Sequence, residues 1–390
     1  MTIGYVMLQN LRRNPLRTFL TAVAFALPMA VFVGAISMVM AMVKISQAAA
    51  QELRLATHHK TTIINMLPEG TRNKIEALDP DKKRLRAVCG MRWFGGKIPD
   101  SPTVIQSLGA DADTFPIVYS EAELAGAEAE AWKRDRQACV IGYGIAENNH
   151  WGVGSRITLK SSVPPYLELE FHVVKIMSAP GRAQVLYFRR DYFSEQLKAA
   201  NVTNYGDCNI FWVKCNNGDA LHSLQDEIDG LFANSPNETK SEDENAFAAG
   251  FMQAMGNIPG LMQAMAIVVV VIIALVAGNT MMMSFRERTK EIAVFKAIGF
   301  PRRRVFGIVL GESLMLAMVG ALIGVIPTAF LLTMFPVRKL GFLPIAALEV
   351  SPMAIVVSLI IAMLVGLAAG AWPAYQALRL QTVNALRRAA

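Results

Sequence analysis

The sequence predicts an integral membrane protein with four transmembrane α-helices and a large α+β extracytoplasmic domain inserted between spans 1 and 2. Three observations lead to this fold class. Hydrophobic residues make up 53% of the 390 residues. They are concentrated in four blocks without a charged side chain, at residues 18–43, 261–285, 313–337 and 351–378. More than 200 residues of mixed composition separate the first two blocks, which is too long for a simple connection.

Each block is long enough to cross a membrane. A helix needs about 20 apolar residues to span the hydrocarbon, and longer blocks leave room for tilt. The first block resembles a signal peptide in its basic flank, but the apolar core of a signal peptide has only about 7 to 15 residues. Here 26 consecutive positions are uncharged. We therefore expect a retained first span.

The basic residues near the ends of the blocks predict the orientation. Arg12, Arg13 and Arg17 precede the first block, and Arg379, Arg387 and Arg388 follow the fourth. Between the second and third blocks lie Arg286, Arg288, Lys290, Lys296, Arg302, Arg303 and Arg304. Because cytoplasmic loops are enriched in Lys and Arg, we expect both termini and this segment to be cytoplasmic. The net charge of +7 then reflects topology and does not indicate a nucleic-acid partner.

The long outer segment, residues 44–260, reads as a folded α+β domain. Runs rich in Val, Ile, Leu and aromatic residues predict strands at 61–67, 138–142, 156–160, 167–177, 184–188 and 209–215. A helix is predicted at 219–232, with Leu221, Leu224, Ile228 and Leu231 on one face. Residues 44–57 and 245–257 continue helical composition from the adjoining spans, either as stalk helices or as ordinary connections. The polar stretch 235–245 is predicted to be a flexible loop.

No catalytic or metal signature occurs in the sequence. The nearest approach to a phosphate loop, GMRWFGGKI at 90–98, has Gly and Ile where Lys and Ser or Thr are required, and predicts a turn between two strands. His58 and His59, in a predicted helix, would point about 100° apart and share no metal face. We therefore expect no enzymatic activity and no metal site in this chain.

All four cysteines, Cys89, Cys139, Cys208 and Cys215, fall in the outer segment. If 209–215 is a strand, the Cα atoms of Cys208 and Cys215 lie roughly 23 Å apart, too far for a disulfide. Pairing with Cys89 or Cys139 and free buried thiols both remain open.

The charged segment between the second and third blocks predicts a short amphipathic helix at the cytoplasmic surface. Ile292, Phe295 and Ile298 fall within about 100° on one side of a helix. Gly299 is expected to stop the helix, and Pro301 to prevent its resumption. Such a helix can rest among lipid headgroups, but Glu291 and Phe295 suit a protein groove at least as well.

Glu312 directly precedes the third block and lies about 10 Å along the helix from Val305. We expect it to make a polar contact near the inner leaflet, with a proton relay as the alternative. Gly320 with Gly324, and Gly366 with Gly370, form two GxxxG spacings that allow helices to approach closely.

Four stretches of the chain resemble the FtsX/MacB type of ABC-transporter permease. They are KEIAVFKAIGFPRRRVFGIVLGES at 290–313, NLRRNPLRTFLT at 10–21, WPAYQALRLQTVNALR at 372–387, and CVIGYGIAENNHWGVGSRITLK at 139–160 followed by FHVVKIM. The order of one span, a large outer domain and three further spans is also similar. The resemblance covers nearly the whole chain, and the segment after the second span is its most specific part.

The resemblance implies a role for each part of the chain. It implies a cytoplasmic elbow helix in 1–17, spans at 18–43, 261–285, 305–337 and 351–378, and a MacB-like periplasmic domain with stalk helices at 44–260. A short periplasmic loop follows at 338–350, and a cytoplasmic tail at 379–390. Residues 286–304 correspond to a coupling helix seated in an ATPase. Its candidate contacts are Arg288, Glu291, Ile292, Phe295, Lys296, Ile298 and Gly299.

The implied partners follow from the same resemblance. Since the chain starts 17 residues before the first span, we expect the ATPase on another polypeptide, present in two copies and binding the ATP and Mg²⁺. No cofactor is expected in this chain. A second permease, identical or related, is expected to form a dimer in the bacterial inner membrane. The resemblance leaves open whether a periplasmic adaptor and a TolC-like outer-membrane channel take part.

The predicted function is ATP-driven export of a lipid, lipoprotein, peptide or drug by movement of the periplasmic domain. The alternative is an FtsX-like mechanotransmitter that activates a periplasmic cell-wall hydrolase without moving a substrate, and a third is a membrane-anchored sensor. The size of the outer segment favours export. The sequence does not identify the cargo.

Overall fold

The computed structural model describes residues 15–99, 103–254, 258–334 and 350–380. These residues fall into two compact units. We call the first the membrane unit, within 15–41, 258–334 and 350–380, and the second the outer unit, within 42–254.

Helices and strands of the described residues are numbered in chain order. The helices are α1 (Pro15–Ala50), α2 (Gly70–Glu76), α3 (Phe115–Val118), α4 (Gly126–Arg134), α5 (Tyr143–Asn149), α6 (Arg190–Ala199), α7 (Gly218–Phe232), α8 (Glu244–Ala254), α9 (Ile258–Glu287), α10 (Thr289–Ala297), α11 (Arg302–Met334) and α12 (Pro352–Arg379). The strands are β1 (Arg54–His59), β2 (Leu85–Trp93), β3 (Gly96–Lys97), β4 (Val104–Ala110), β5 (Ala138–Gly142), β6 (Arg156–Ser161), β7 (Glu168–Met177), β8 (Val185–Arg189), β9 (Ile210–Cys215) and β10 (Thr239–Asp243). Two 3₁₀ turns lie at Ser120–Ala122 and Pro180–Arg182.

The membrane unit is built from the long helices α1, α9, α11 and α12. Within the described ranges, four stretches are long and apolar enough to cross a membrane: Thr18–Ala41, Gln263–Glu287, Arg302–Leu332 and Pro352–Arg379. The four predicted spans are confirmed. Their shared core contains Phe25 and Met29 from α1, Ala277 from α9, Ala321 from α11 and Ala362 from α12, all at most 1% exposed.

The helices run beyond the charge-free blocks of the sequence. α9 continues through Glu287 and α11 begins at Arg302, so the helix between them covers only Thr289–Ala297 and not the predicted 286–304. α1 already begins at Pro15. Of the predicted segments, residues 1–14 of the elbow helix, 338–349 of the periplasmic loop and 381–390 of the tail lie outside the described residues.

One half of the outer unit is an antiparallel sheet in the order β10-β1-β9-β2. Because side chains alternate across a strand, Leu55, Val213 and Val88 lie on one face, where they pack with α7. Ala56 and Trp212 lie on the other face, against the aromatic residues of α3 and α4. The sheet is therefore covered on both sides, which explains why every residue of β9 is buried.

The other half is a small closed barrel. Its six strands are hydrogen-bonded to their neighbours in the spatial order β4-β3-β6-β7-β5-β8. The barrel closes because β8 also pairs with β4, in parallel. Phe94 lies inside, with its ring centroid 5.2 Å from that of Phe193, 5.7 Å from Phe188 and 6.0 Å from Phe171. Closure removes exposed sheet edges, and these rings fill the interior.

Most of the predicted strands agree with the structure. β5 has the predicted bounds, β6, β7 and β9 differ by one residue at one end, and β8 is shifted by one residue at both ends. The predicted helix at 219–232 is α7, although Leu231 is 45% exposed and Phe232 takes the buried position instead. The strands β2, β3 and β4 are not among the predicted ones.

Three predictions for the outer segment are wrong. Residues 44–57 do not remain helical, because α1 ends at Ala50 and β1 begins at Arg54, so His58 and His59 lie in a strand. Residues 61–67 form turns with a single bridge from Leu67 to Cys208, and Ile64 is 76% exposed. The polar stretch 235–245 contains the edge strand β10.

All four cysteines are buried free thiols. Burial raises the pKa of the Cys208 and Cys215 thiols to about 12. They are therefore uncharged side chains of the core at neutral pH, and no disulfide joins any two of the four cysteines.

Candidate functional site

The helix α10 is set off from its neighbours by two sharp changes of direction. Arg288 interrupts the helix after α9, with φ of −102° and ψ of 11°. At the other end Gly299 has φ of +95°, and the Phe300 N–H donates to the Phe295 carbonyl oxygen at 3.0 Å. This bond is typical of a helix that ends in a left-handed glycine. The predicted helix stop at Gly299 is confirmed.

Arg288 anchors α10 to α11. Its Nη1 donates to Glu312 Oε1 at 2.7 Å, and its Nε donates to Glu291 Oε2 at 3.1 Å. The side chain of Glu312 is 9% exposed and that of Arg288 is 15% exposed. Burial alone lowers the pKa of Arg288, but the two carboxylates outweigh it and raise that pKa above its ordinary value. The guanidinium is therefore charged and neutralises a carboxylate that lies within a span.

A second set of contacts fixes the same face of α10. Ile292 is 6% exposed and packs with Phe285, Val305 and Ala377, from α9, α11 and α12 respectively. The Lys296 Nζ donates to the carbonyl oxygens of Leu378 at 2.9 Å and Leu380 at 3.0 Å. These are unpaired carbonyls at the end of α12, where a cation is favourable. Burial lowers the pKa of Lys296 from its ordinary value. The helix is thus held by all three neighbouring helices.

The opposite side of α10 is apolar and exposed. Val294 is 48% exposed, Ile298 66% and Phe300 36%. Phe295 is half-buried, and its ring centroid lies 5.4 Å from that of Phe300. The sequence placed Ile292, Phe295 and Ile298 on one face, and the structure corrects this: Ile292 faces the spans, Ile298 faces away, and Phe295 lies at the boundary. We call Val294, Phe295, Ile298 and Phe300 the outward patch.

The predicted packing glycines lie at close helix contacts. A Cβ placed on Gly324 would come 2.2 Å from the Ala26 carbonyl oxygen, and one on Gly320 would come 2.4 Å from the Phe25 Cβ. On α12, a Cβ on Gly370 would come 2.6 Å from Ser313. A Cβ on Gly366 would come 2.6 Å from the Ala317 Cβ. Gly320 and Gly324 of α11 therefore lie against α1, and Gly366 and Gly370 of α12 lie against α11.

Sequence reasoning missed two contacts of this region. Arg288 was not recognised as the partner of Glu312, because 24 residues separate them and only the turn at Arg288 brings them together. Ser313 donates its hydroxyl to the Gly366 carbonyl oxygen at 2.6 Å. The signal for Ser313 was its place beside Glu312 in an otherwise apolar block, since polar side chains between spans bond across helices.

The described residues contain no group of three or more His, Cys, Asp or Glu side chains arranged to hold a metal. Arg288 is paired with Glu291 and Glu312, and Lys296 is paired with backbone carbonyls. The arrangement provides a clamped helix with an apolar surface on its free side.

Two family profiles match the chain. Residues 18–231 match the MacB-like periplasmic core domain, and residues 264–382 match the C-terminal domain of FtsX-like permeases. The second match includes α10 and the residues that clamp it.

Similar proteins include ABC-transporter components. An uncharacterised ABC transporter permease of Methanocaldococcus jannaschii is 29% identical over 266 residues, 65% of this chain and 63% of that protein. The pyoverdine export ATP-binding/permease protein PvdT of Pseudomonas fluorescens is 28% identical over 344 residues, 82% of this chain and 49% of PvdT. The chain therefore matches about half to two-thirds of the length of these relatives.

Among solved structures, the periplasmic region of MacB from Actinobacillus actinomycetemcomitans covers 52% of this chain and 94% of its own length. It is 10% identical, with a TM-score of 0.36.

Proposed function

Because this chain belongs to the family of ABC transporter permeases that combine a MacB-like periplasmic core domain with an FtsX-like permease domain, we propose that it is the membrane subunit of an export system. A separate cytoplasmic ABC ATPase, in two copies, binds ATP and Mg²⁺ and hydrolyses the ATP. The closing ATPases displace α10, and the spans carry that movement to the periplasmic domain, which extrudes a lipid, lipoprotein, peptide or drug.

The observation that carries this proposal is the two-sided character of α10. Its inner side is fixed by Arg288, Ile292 and Lys296, so a force on the helix reaches three other helices. Its free side carries the outward patch, and exposed apolar side chains on a short surface helix favour a protein groove as their partner. The ATPase is thus proposed to contact the outward patch, while the clamping residues transmit the movement.

A buried charge cluster supports transmission into the periplasmic domain. Arg54, four residues after the end of α1, donates through Nε to Glu244 Oε2 at 2.6 Å. Glu244 is the first residue of α8 and is 5% exposed, and Arg54 is 2% exposed. Arg182 and Glu121 complete the cluster. The two connections that leave the domain are therefore joined to each other by a buried ion pair.

The remaining assignments belong to the same proposal. The membrane is the bacterial inner membrane, both termini are cytoplasmic, and the basic segments beside the spans support this orientation. The complex is proposed to contain a second permease, with a periplasmic adaptor and an outer-membrane channel as further partners.

Truncation of the outward patch tests the proposal. Removal of the Phe295 ring should weaken binding of the ATPase by about 30-fold, since truncating an aromatic residue that anchors an interface costs about 2 kcal/mol. Export by the reconstituted Phe295→Ala complex should fall while the permease remains folded. Val319→Ala, on the exposed side of α11, is the matched control. Unchanged ATPase affinity and unchanged export in Phe295→Ala would refute the coupling role.

A further inference from the structure

The last two turns of α12 carry two exposed aromatic side chains followed by an exposed arginine. Trp372 is 62% exposed and Tyr375 is 40% exposed, and Arg379, the last residue of the helix, is exposed as well. Spacings of three and four residues place the three side chains on one side of the helix. The opposite side, with Gly370 and Ala377, is buried. We call Trp372, Tyr375 and Arg379 the α12 column.

The three side chains of the α12 column contact one another in order. The ring centroid of Trp372 lies 6.3 Å from that of Tyr375, and the Arg379 Cζ lies 4.7 Å from the Tyr375 centroid. A guanidinium over an aromatic ring is held there by the charge distribution of the ring, while its planar fork of N–H donors stays available. In the described part of the chain, no carboxylate forms an ion pair with Arg379. The column therefore presents an oriented cation to its surroundings.

The α12 column follows the order of chemical groups in one leaflet of a membrane. At 1.5 Å per residue, Tyr375 lies about 6 Å and Trp372 about 10 Å along the helix from Arg379. Leu364, which is 52% exposed, continues the same side as an apolar surface about 22 Å from Arg379. Trp and Tyr are enriched where the hydrocarbon meets the headgroups. Arg379 is therefore expected at the depth of the phosphates, and Leu364 among the acyl chains.

The surroundings of Arg379 are basic. Three exposed arginines begin α11: Arg302, Arg303 and Arg304. They lie at the same end of the membrane unit as Arg379, because the next residue, Val305, packs with Ala377 of α12. Burial and, to a smaller extent, the charge of Arg302 lower the pKa of Lys296. A zwitterionic headgroup would add a further cation here, whereas an anionic headgroup adds none, so the charges favour an anionic lipid.

We propose that the α12 column is a binding site for an anionic phospholipid, in the leaflet on the α10 side of the membrane. The guanidinium of Arg379 donates two parallel N–H bonds to the phosphate oxygens, a geometry for which its planar fork is suited. Tyr375 holds the guanidinium in place, and Trp372 packs against the lipid where its acyl chains begin. This lipid is a ligand of the outer surface of α12 and is distinct from any exported substrate.

The site adjoins the residues that hold α10. Arg379 lies between Leu378 and Leu380, whose carbonyl oxygens accept hydrogen bonds from Lys296 at 2.9 and 3.0 Å. A phosphate bound to Arg379 is therefore next to the contact that fixes α10 to α12. The proposal goes beyond the export role and requires neither the ATPase nor its nucleotide.

Tryptophan fluorescence tests the site in the full chain. Trp372 is the one tryptophan outside the outer unit, since the other four lie within residues 93–212. The chain is reconstituted in phosphatidylcholine vesicles, without the ATPase, with an equal minor fraction of either brominated phosphatidylglycerol or brominated phosphatidylcholine. Bromine on the acyl chains quenches a tryptophan in close contact, and Trp372→Phe gives the background. The phosphatidylglycerol should occupy the site about 5-fold more strongly than the phosphatidylcholine, the factor expected for one cation at the membrane surface.

Two variants that each remove one charge distinguish a site from a general attraction of anionic lipid. Arg379→Gln should lose the preference, so that both brominated lipids quench Trp372 equally. Arg286→Gln removes another exposed charge, at the end of α9, and should keep the preference. Equal quenching by the two lipids in the parental chain, or an equal loss of preference in the two variants, would overturn the proposal.

The variant Tyr375→Leu tests the stacking within the α12 column. It keeps both the charge of Arg379 and the fluorescence of Trp372, but it removes the ring that orients the guanidinium. The preference for phosphatidylglycerol should fall by about 2- to 5-fold, since this is the contribution of an exposed cation–π contact. A preference as strong as that of the parental chain would show that the site is not built by the column.

Discussion

Arg288 and Glu312 are the residues on which the position of α10 depends most directly. They join two elements across 24 residues of sequence, and both side chains are largely buried. A buried ion pair contributes little net stability, but removal of one partner leaves the other charge uncompensated. The pair therefore specifies one arrangement of α10 against α11 more than it stabilises the fold.

Glu312→Ala should lower the free energy of unfolding by about 3 to 5 kcal/mol, because it leaves Arg288 buried without a counter-charge. The measurement is unfolding of the purified chain in mixed micelles by titration with sodium dodecyl sulfate. The double variant Arg288→Met, Glu312→Leu removes both charges and should lie much closer to the parental chain. If Glu312→Ala alone unfolds at the parental midpoint, the ion pair does not hold α10.

The sequence indicated a polar contact for Glu312 but not the identity of its partner. An acid in an apolar block must be satisfied, and this follows from local sequence alone. The segment 286–304 contains seven basic residues, and the sequence does not show which of them pairs with Glu312. Arg288 becomes the partner because α9 ends at Glu287 and the chain turns there. The choice among them is made by tertiary geometry.

At the scale of the helices, close packing depends on residues without a side chain. Gly324 allows α11 to approach the α1 backbone at Ala26. Gly307, on the same helix, has open space where a Cβ would be. The two positions therefore separate a packing requirement from a general effect of glycine on a helix.

Gly324→Ala should destabilise the membrane unit by about 1 to 3 kcal/mol, since the added methyl group forces two backbones apart. Gly307→Ala should be neutral or stabilising by up to about 1 kcal/mol, because Ala favours the helix. The same detergent titration measures both. Equal effects of the two substitutions would show that α1 and α11 do not pack closely at Gly324.

The faces and bounds of elements were harder to predict than their existence. The spans, α7 and five of the strands follow from hydrophobic patterns. The outward patch could not be predicted from the hydrophobic pattern, because α10 is apolar on two sides and the sequence does not show which side meets the spans. β1 replaced a predicted helix because pairing with β9 and β10 overrides the helical preference of residues 51–57. β10 escaped detection because an edge strand tolerates charge.

At the scale of the whole molecule, three separate observations agree. The membrane unit fixes α10 from three helices, the outward patch is left exposed, and the matched profiles place the chain among ABC transporter permeases. The order of spans and outer domain was predictable, because uncharged blocks and basic flanks are unambiguous over such lengths. The central claim is that energy enters the protein through the outward patch.

A photoreactive amino acid at Ile298 tests this claim most directly. In membranes that contain the chain together with its co-expressed ABC ATPase, illumination should cross-link Ile298 to the ATPase, because its side chain is 66% exposed on the free side of α10. The same probe at Val319, exposed on the span α11, should capture no ATPase. Cross-linking of the ATPase from neither position, or equally from both, would contradict the claim.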